Sequence, residues 1–370
     1  MSALIICNVS ALRAIRWARQ RYDVVPWEPV GRVEIRHALE DGAPNRDRID
    51  WDVLRRYGFV GDEGADGGEP LHVLVGRDED RRSREELCCH VQRRDLERGM
   101  LLRVEPGIYC ASPALAAMQY ARGRDLPEVF SLVMELLGSY TLPAEPTFGL
   151  ARGDVWRARP GFLAPDNARQ DGDEPVEQAH YRCAPATTLL ELRRVIRLSA
   201  SSNDRSMRTA VGLAMPGSAS PGETIMAAML GLPMRYGGFG CDQLPRGGMR
   251  LNHRIEFSGQ AVNMSSGMPW AVCDAYIEAA KTDLEYNGIG HEQVNARIHD
   301  GNRNNGLRGM GVRVLVINRQ QMQDIVALEA IAQSIYQEAG KRFRYRIENT
   351  RPRQLWLLNG LRRAAGLTPV

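Results

Sequence analysis

The chain has 370 residues, 44% of them hydrophobic, and a formal net charge of +3. That length accommodates two domains with cores of their own, and so small a charge places no demand for nucleic acid on the chain as a whole. No apolar run approaches the ~20 residues of a bilayer-spanning helix, which excludes a helical membrane span. Leu4–Val9 is too short, and too poor in preceding cations, for a signal peptide. The seven cysteines are odd in number and include no CxxC pair; this argues against a disulfide framework or a zinc site and suits a reducing cytoplasm. Lysine occurs only at 281 and 341, so nearly all the positive charge is arginine. Arginine suits bidentate phosphate contacts, although a GC-rich genome gives the same bias for no functional reason.

In chain order, Ser10–Tyr22 reads as a short basic helix with Ser10 as its N-cap. Arg13, Arg16, Arg19 and Arg21 then contact phosphate or, the plainer alternative, form a solvated face. Gly42–Asp47 and Gly61–Glu69 carry turn formers and read as loops around a short helix at Trp51–Tyr57. Leu71–Gly76 is a buried strand, expected to pair with Leu87–Val91 and Met100–Val104. Pro106-Gly107 turns the chain into Ile108–Cys110, and Ser112-Pro113 opens a helix over Ala114–Ala121, followed by another over Leu126–Leu137. Cys88-Cys89-His90 suggests a metal, but adjacent cysteines point to opposite faces of a strand, so buried thiols beside an edge histidine are preferred here. Gly149–Gln178 reads as a connector. Ala186–Arg197 is a helix with Leu189, Leu192, Val195 and Ile196 along one stripe and Arg193, Arg194 and Arg197 towards the other.

A second domain is expected from residue 220. Ser220-Pro221-Gly222-Glu223 starts a helix reaching Leu230, the Gly-rich stretch at Tyr236–Gly240 lacks Walker spacing, and Arg254–Phe257 is a first core strand. Ala271–Ile277 and Thr282–Tyr286 are strands, the latter ending at the turn signal Asn287-Gly288. His291–Leu307 has helical spacing, and Val312–Ile317 is a β-branched run of the kind buried inside a sheet. Asp274 and Glu285 sit at strand ends, and strands about 4.8 Å apart let two such carboxylates face one divalent cation. Met322–Ala339 is an amphipathic helix on the sheet, and Leu355–Ala365 a closing helix. Between them Lys341–Arg353 interleaves Arg342, Arg344 and Arg346 with Phe343 and Tyr345, the best local candidate for contact with a nucleic-acid backbone. Its plain alternative is an edge strand with solvated arginines.

The order Asp274, Glu285-Tyr-Asn-Gly, His291, Asp300, Arg303, Leu307, Gly311 and a final apolar strand resembles the PD-(D/E)XK nuclease superfamily. Within it, the pattern is similar to the branch of very-short-patch-repair endonucleases and DUF559-type proteins. The pieces LHVLVG, RVEPGIYCASPALAAMQYA and MELLGSY resemble AbiEi-like halves, which implies a small α+β module tied to antitoxin function or transcriptional regulation. Together these give an α/β (α+β) chain: an AbiEi-like domain over 1–148, a connector and helix over 149–219, and over 220–370 a restriction-endonuclease-like mixed sheet flanked by helices.

The resemblance implies a metal-dependent DNA endonuclease in the cytoplasm, acting in repair or in defence against foreign DNA. Mg²⁺ or Mn²⁺ would neutralise developing charge, activate water and hold the leaving oxygen. Asp274 and Glu285 are the expected direct ligands, with the Tyr286 carbonyl as a third. Glu223 stands where the family's leading helix donates an acid, and is equally readable as a first-turn acid favoured by the helix dipole. The family's lysine is replaced here by Asn287, a neutral amide. His291 takes its place in the branch named above and is suited to acid–base work near neutral pH. Lys281, four residues before Glu285 and so on the same strand face, is a second candidate, and is equally readable as a solvated residue at the strand entrance. Arg303 is expected to reach phosphate, with Asp300 holding Arg303 or His291 in place. The alternative is a non-catalytic DNA-binding regulator or antitoxin-like protein with a vestigial nuclease fold. The sequence leaves open pairing with a second copy or with another protein.

Overall fold

The computed structural model describes residues 3–61, 70–81, 83–84, 86–144, 179–198, 204–245, 248–287 and 294–370, without the side chains of 83–84 and 294–299. The chain is mixed α/β in two compact units, one comprising residues up to 144 with Ala179–Gly212, the other Leu213–Val370. The helix expected in a connector, α6 below, thus belongs to the N-terminal unit. No described helix is long and apolar enough to cross a membrane.

The N-terminal unit is built on β1 (Leu4–Ile6), β2 (Glu28–Pro29), β3 (Leu71–Val75), β4 (Ser83–Arg84), β5 (Leu87–Val91), β6 (Leu101–Glu105) and β7 (Ile108–Ala111), in the sheet order β2-β6-β7-β1-β3-β5-β4. Its helices are α1 (Asn8–Tyr22), α2 (Arg32–Glu40), α3 (Trp51–Arg56), α4 (Pro113–Tyr120), α5 (Leu126–Leu137), α6 (Leu189–Leu198) and α7 (Arg205–Leu213), and β8 (Tyr140–Thr141) pairs with β9 (His180–Tyr181). β3 pairs in parallel with β5. β6 instead pairs with β2 and β7, correcting its expected partner: the Pro106-Gly107 turn folds β7 straight back onto it. Ser112 caps α4, its Oγ accepting from the Leu115 N–H at 3.4 Å.

Helix α1 departs most from expectation. It begins at Asn8, and Ser10 lies inside it, its Oγ accepting from the His72 N–H at 3.0 Å. Arg16 and Arg19 are 4% and 0% exposed, so neither phosphate contact nor a solvated face describes them. Arg16 donates to Glu135 from Nε at 2.9 Å and Nη2 at 2.5 Å, while Arg19 donates to the carbonyls of Glu135, Gly138 and Ala184. A buried guanidinium is tolerable only with such partners. These arginines tie α1 to α5 and the chain that follows it.

The C-terminal unit runs α8 (Pro221–Gly231), β10 (Met249–Glu256), α9 (Gly259–Met264), β11 (Trp270–Ile277), β12 (Thr282–Asn287), α10 (Val294–Gly309), β13 (Arg313–Asn318), α11 (Ile325–Glu338) and α12 (Thr350–Ala364). Its sheet has the order β10-β11-β12-β13. The first three strands form an antiparallel meander, and α10 is the crossover that sets β13 parallel to β12. Leu307 of α10 packs with Ala271, Cys273, Tyr276 and Val312. Gly306 lets Phe257 approach closely, since a Cβ there would lie 2.2 Å from its ring. β13 is an edge strand rather than an interior one, and Val316 is 54% exposed.

Candidate functional site

β11 and β12 pair only at Ala275↔Leu284, Tyr276↔Asp283 and Ile277↔Thr282. Beyond these pairs β11 continues along β10 and β12 along β13. The sheet therefore forks, and Asp274 and Glu285 are the first residues past the last pair. A fork leaves backbone polar groups without ladder partners, and side chains supply them. The Tyr286 N–H donates to Asp274 Oδ2 at 2.9 Å, and the Asp274 N–H to Glu285 Oε1 at 3.3 Å. Arg303 of α10 donates from Nε and Nη2 to the Val272 carbonyl at 3.2 and 2.6 Å.

Arg303 also bonds Asp283 Oδ2 at 2.9 Å and Glu285 Oε1. Asp283 is fully buried, and among the described residues its Oδ1 has no hydrogen-bond partner. Arg303 thus neutralises part of a run of acids in which Asp274, Asp283 and Glu285 act on one another, and Glu223 joins through Asp274 and Glu285. Burial, then its neighbour Asp274, pushes Glu223 up to about 7. Burial and Glu285 raise Asp274 to about 6. Burial and Asp283 raise Glu285 to about 8. Burial likewise raises Asp283 to about 6, against the pull of Arg303. Sequence reasoning missed Asp283. Its signal was available: it stands two residues before Glu285 and so on the same strand face.

Glu223 lies at the first turn of α8, in a reciprocal cap. Its N–H donates to Ser220 Oγ at 3.1 Å, its Oε1 accepts from Ser220 Oγ at 3.0 Å, and its Oε2 from the Ala219 N–H at 2.7 Å. Gly222 beside it is required by Tyr286, because a Cβ there would lie 2.1 Å from the ring. Glu223 caps the helix as its plainer reading expected, and it lies near enough to Asp274 and Glu285 for their charges to raise its pKa.

Other expected residues fall elsewhere. Lys281 is not on the strand but in the left-handed turn before it, with φ 43°, and is exposed. Four residues of strand put it roughly 13 Å from Glu285 along β12, beyond the role assigned to it. Asn287 is exposed at the end of β12, opposite Asn318. Arg303 points inward, its side chain 13% exposed and engaged by Asp283 and Glu285, which replaces the expected phosphate contact. The partners that hold it are those acids, the Val272 carbonyl and Asn304 Oδ1 at 3.5 Å, while Asp300 is exposed on α10. His291 lies outside the described residues.

Arg342, Arg344 and Arg346 are exposed on an irregular segment between α11 and α12, not on an edge strand. Phe343 packs inward against Tyr336 and Phe239, with ring centroids 5.2 and 6.2 Å away, and Tyr345 stacks edge-on against it. Arg235, Lys341, Arg342 and Arg346 line a cleft of about 600 Å³ whose walls hold no acid among the described residues. No family model, curated protein or solved structure matches the chain.

Proposed function

We propose that the C-terminal unit is a DNA endonuclease that hydrolyses phosphodiesters with Mg²⁺ or Mn²⁺ at the β11–β12 fork. The observation that carries this reading is the excess of carboxylates over cations there: of four buried or half-buried acids, Arg303 pairs with two, Asp283 and Glu285, and leaves Glu223 and Asp274 without an ion pair to it. Hard divalent ions take carboxylate oxygens, and acids that raise one another's pKa lose that mutual penalty when an ion is shared. The donor set therefore fits. Asp274, Glu285 and Glu223 would hold the ion, with Tyr286 beside them and Asp283 retained by Arg303. When bound, the ion supplies charge neutralisation for the scissile phosphate and leaving oxygen. The Tyr286 N–H keeps Asp274 oriented, and Arg303 fixes Glu285 while closing the fork through Val272. With Asn287 in the lysine's position and Lys281 out of reach, His291 is the remaining proton acceptor of the proposal. The exposed Arg342, Arg344 and Arg346 serve the DNA backbone. The strand, strand, helix, strand order behind α8 supports the PD-(D/E)XK resemblance, and the AbiEi-like half would add regulation or protein contact.

A second reading is favoured by one observation: Arg303 already occupies Glu285. A fork closed in this way suits a DNA-binding regulator that has lost catalysis. The test is cleavage of supercoiled plasmid by the full chain with Mg²⁺ or Mn²⁺, beside Asp274→Ala and Glu285→Ala. Nicking or linearisation that both substitutions abolish supports the nuclease. DNA binding without cleavage, equal in all three proteins, supports the regulator.

A further inference from the structure

The N-terminal unit brings together three metal-ligating side chains that no role considered so far uses. β3 and β5 run in parallel with His72 opposite Cys88 and Leu74 opposite His90. Cys88 and His90 are two residues apart and project from one face of β5, whereas Cys89 turns to the other and is 5% exposed. His72 Nδ1 lies 2.8 Å from His90 Nε2, and Cys88 Sγ lies 3.6 Å from the same nitrogen. All three ligand atoms fall within 4.8 Å of one another. The sequence reading set a metal at Cys88-Cys89-His90 aside because adjacent cysteines diverge; the residue that joins Cys88 and His90 here is His72, from the neighbouring strand.

We propose that His72, Cys88 and His90 form a binding site for a borderline divalent ion of the Zn²⁺ class, with a fourth position left for an exchangeable ligand. A tetrahedral site with Zn–N of about 2.0–2.1 Å and Zn–S of about 2.3 Å requires N···S of roughly 3.6 Å and N···N of roughly 3.4 Å. The Cys88–His90 separation already meets this. The two imidazoles need to open by only about half an ångström from their hydrogen bond. Two imidazoles with one thiolate select Zn²⁺ or a similar ion over Mg²⁺, which wants oxygen.

Burial pushes His72 down to about 4 and lowers His90 as well, which favours neutral rings with a lone pair to give. Binding through His72 Nδ1 and His90 Nε2 leaves the proton of each ring on its other nitrogen, and the Cys88 thiol proton is released to solvent. The His72 backbone is pinned from both sides, its N–H on Ser10 and its carbonyl accepting from the Cys7 N–H at 2.9 Å. All three side chains are half-buried, which leaves a path for the ion. The fields of Arg81 and Arg122 reach His90, and that of Arg81 reaches Cys88. Burial and then Cys89 raise the Cys88 pKa against the smaller opposing field of Arg81, so the thiol gives up its proton only as the ion binds, and these arginines favour an anion, such as hydroxide or chloride, in the fourth position.

The test is titration of the metal-free full chain with Zn²⁺ and Co²⁺ by calorimetry and absorption spectroscopy, beside Cys88→Ser and His90→Ala. One ion per chain is expected, with a thiolate-to-cobalt charge-transfer band, and each substitution should weaken binding by about 100-fold or more. Alkylation read by mass spectrometry gives a check that needs no variant: saturating Zn²⁺ should protect Cys88. The proposal is overturned if neither ion binds stoichiometrically, if the cobalt complex lacks the thiolate band, or if Zn²⁺ leaves Cys88 alkylation unchanged. None of these outcomes depends on nuclease activity.

Discussion

Arg303→Met isolates what holds the fork together. The substitution keeps the length and apolar stem of the side chain while removing the donors to Val272, Asp283 and Glu285. Asp283 is fully buried and cannot turn to water for compensation. Breaking a buried ion pair by deleting one partner costs about 3–5 kcal/mol, part of which is recovered when the orphaned acids take up protons. We expect a loss of about 3 kcal/mol at pH 8. The pH dependence follows from the direction of the shifts. Arg303 lowers the pKa of both acids, so its contribution is present when they are ionised and fades as pH falls through about 8 for Glu285 and about 6 for Asp283. At pH 5 both are largely protonated, and the bonds to the neutral Val272 carbonyl and Asn304 Oδ1 remain, worth about 1 kcal/mol. Scanning calorimetry of the full chain reads the effect as a drop in the C-terminal unit's transition of roughly 6–12 °C at pH 8, shrinking at pH 5. An equal loss at both pH values would refute the charge argument, leaving Arg303 as a packing residue only.

The wild-type C-terminal unit should itself be more stable near pH 5 than at pH 8 when divalent ions are absent. Glu285 and Glu223 have folded pKa values raised to about 8 and 7, so the native state binds more protons and stability falls as pH rises; denaturant midpoints that climb from pH 5 to 8 would contradict this. If the fork takes Mn²⁺, millimolar metal should raise the midpoint far more at pH 8 than at pH 5, since protons and metal compete for the same carboxylates. Gly222→Ala should cost about 1–3 kcal/mol, because its methyl group would collide with the Tyr286 ring; an unchanged melting temperature would show that α8 and β12 do not pack so closely. In the N-terminal unit, Glu135→Leu should cost about 3–5 kcal/mol by stranding the buried Arg16 without its carboxylate. A loss below about 1 kcal/mol by urea denaturation would argue against that pair.

Elements with local signals were legible without the fold. Ser112-Pro113 and Ser220-Pro221 opened α4 and α8 because a hydroxyl followed by proline satisfies and pre-shapes a helix start. Alternation and the Asn287-Gly288 signal placed β11 and β12, with Asp274 and Glu285 upon them. Tertiary structure alone decided what those residues meet. Arg16 and Arg19 look like a solvated basic face until Glu135, 119 residues along the chain, is folded against them. Arg303 fits a phosphate contact until the fork opens a carbonyl at Val272 and α10 lays the guanidinium across it. Lys281 shares a strand face with Glu285 only if the strand extends back to it, and the left-handed turn stops the strand one residue short. The pairing of β3 with β5 was expected from sequence, but the parallel register that sets His72 beside Cys88 was not. Capping and periodicity act over one turn of helix or two residues of strand, so a sequence carries them directly. The partner of a buried charge is whichever group the long-range packing brings within hydrogen-bond reach, and no local spacing encodes that.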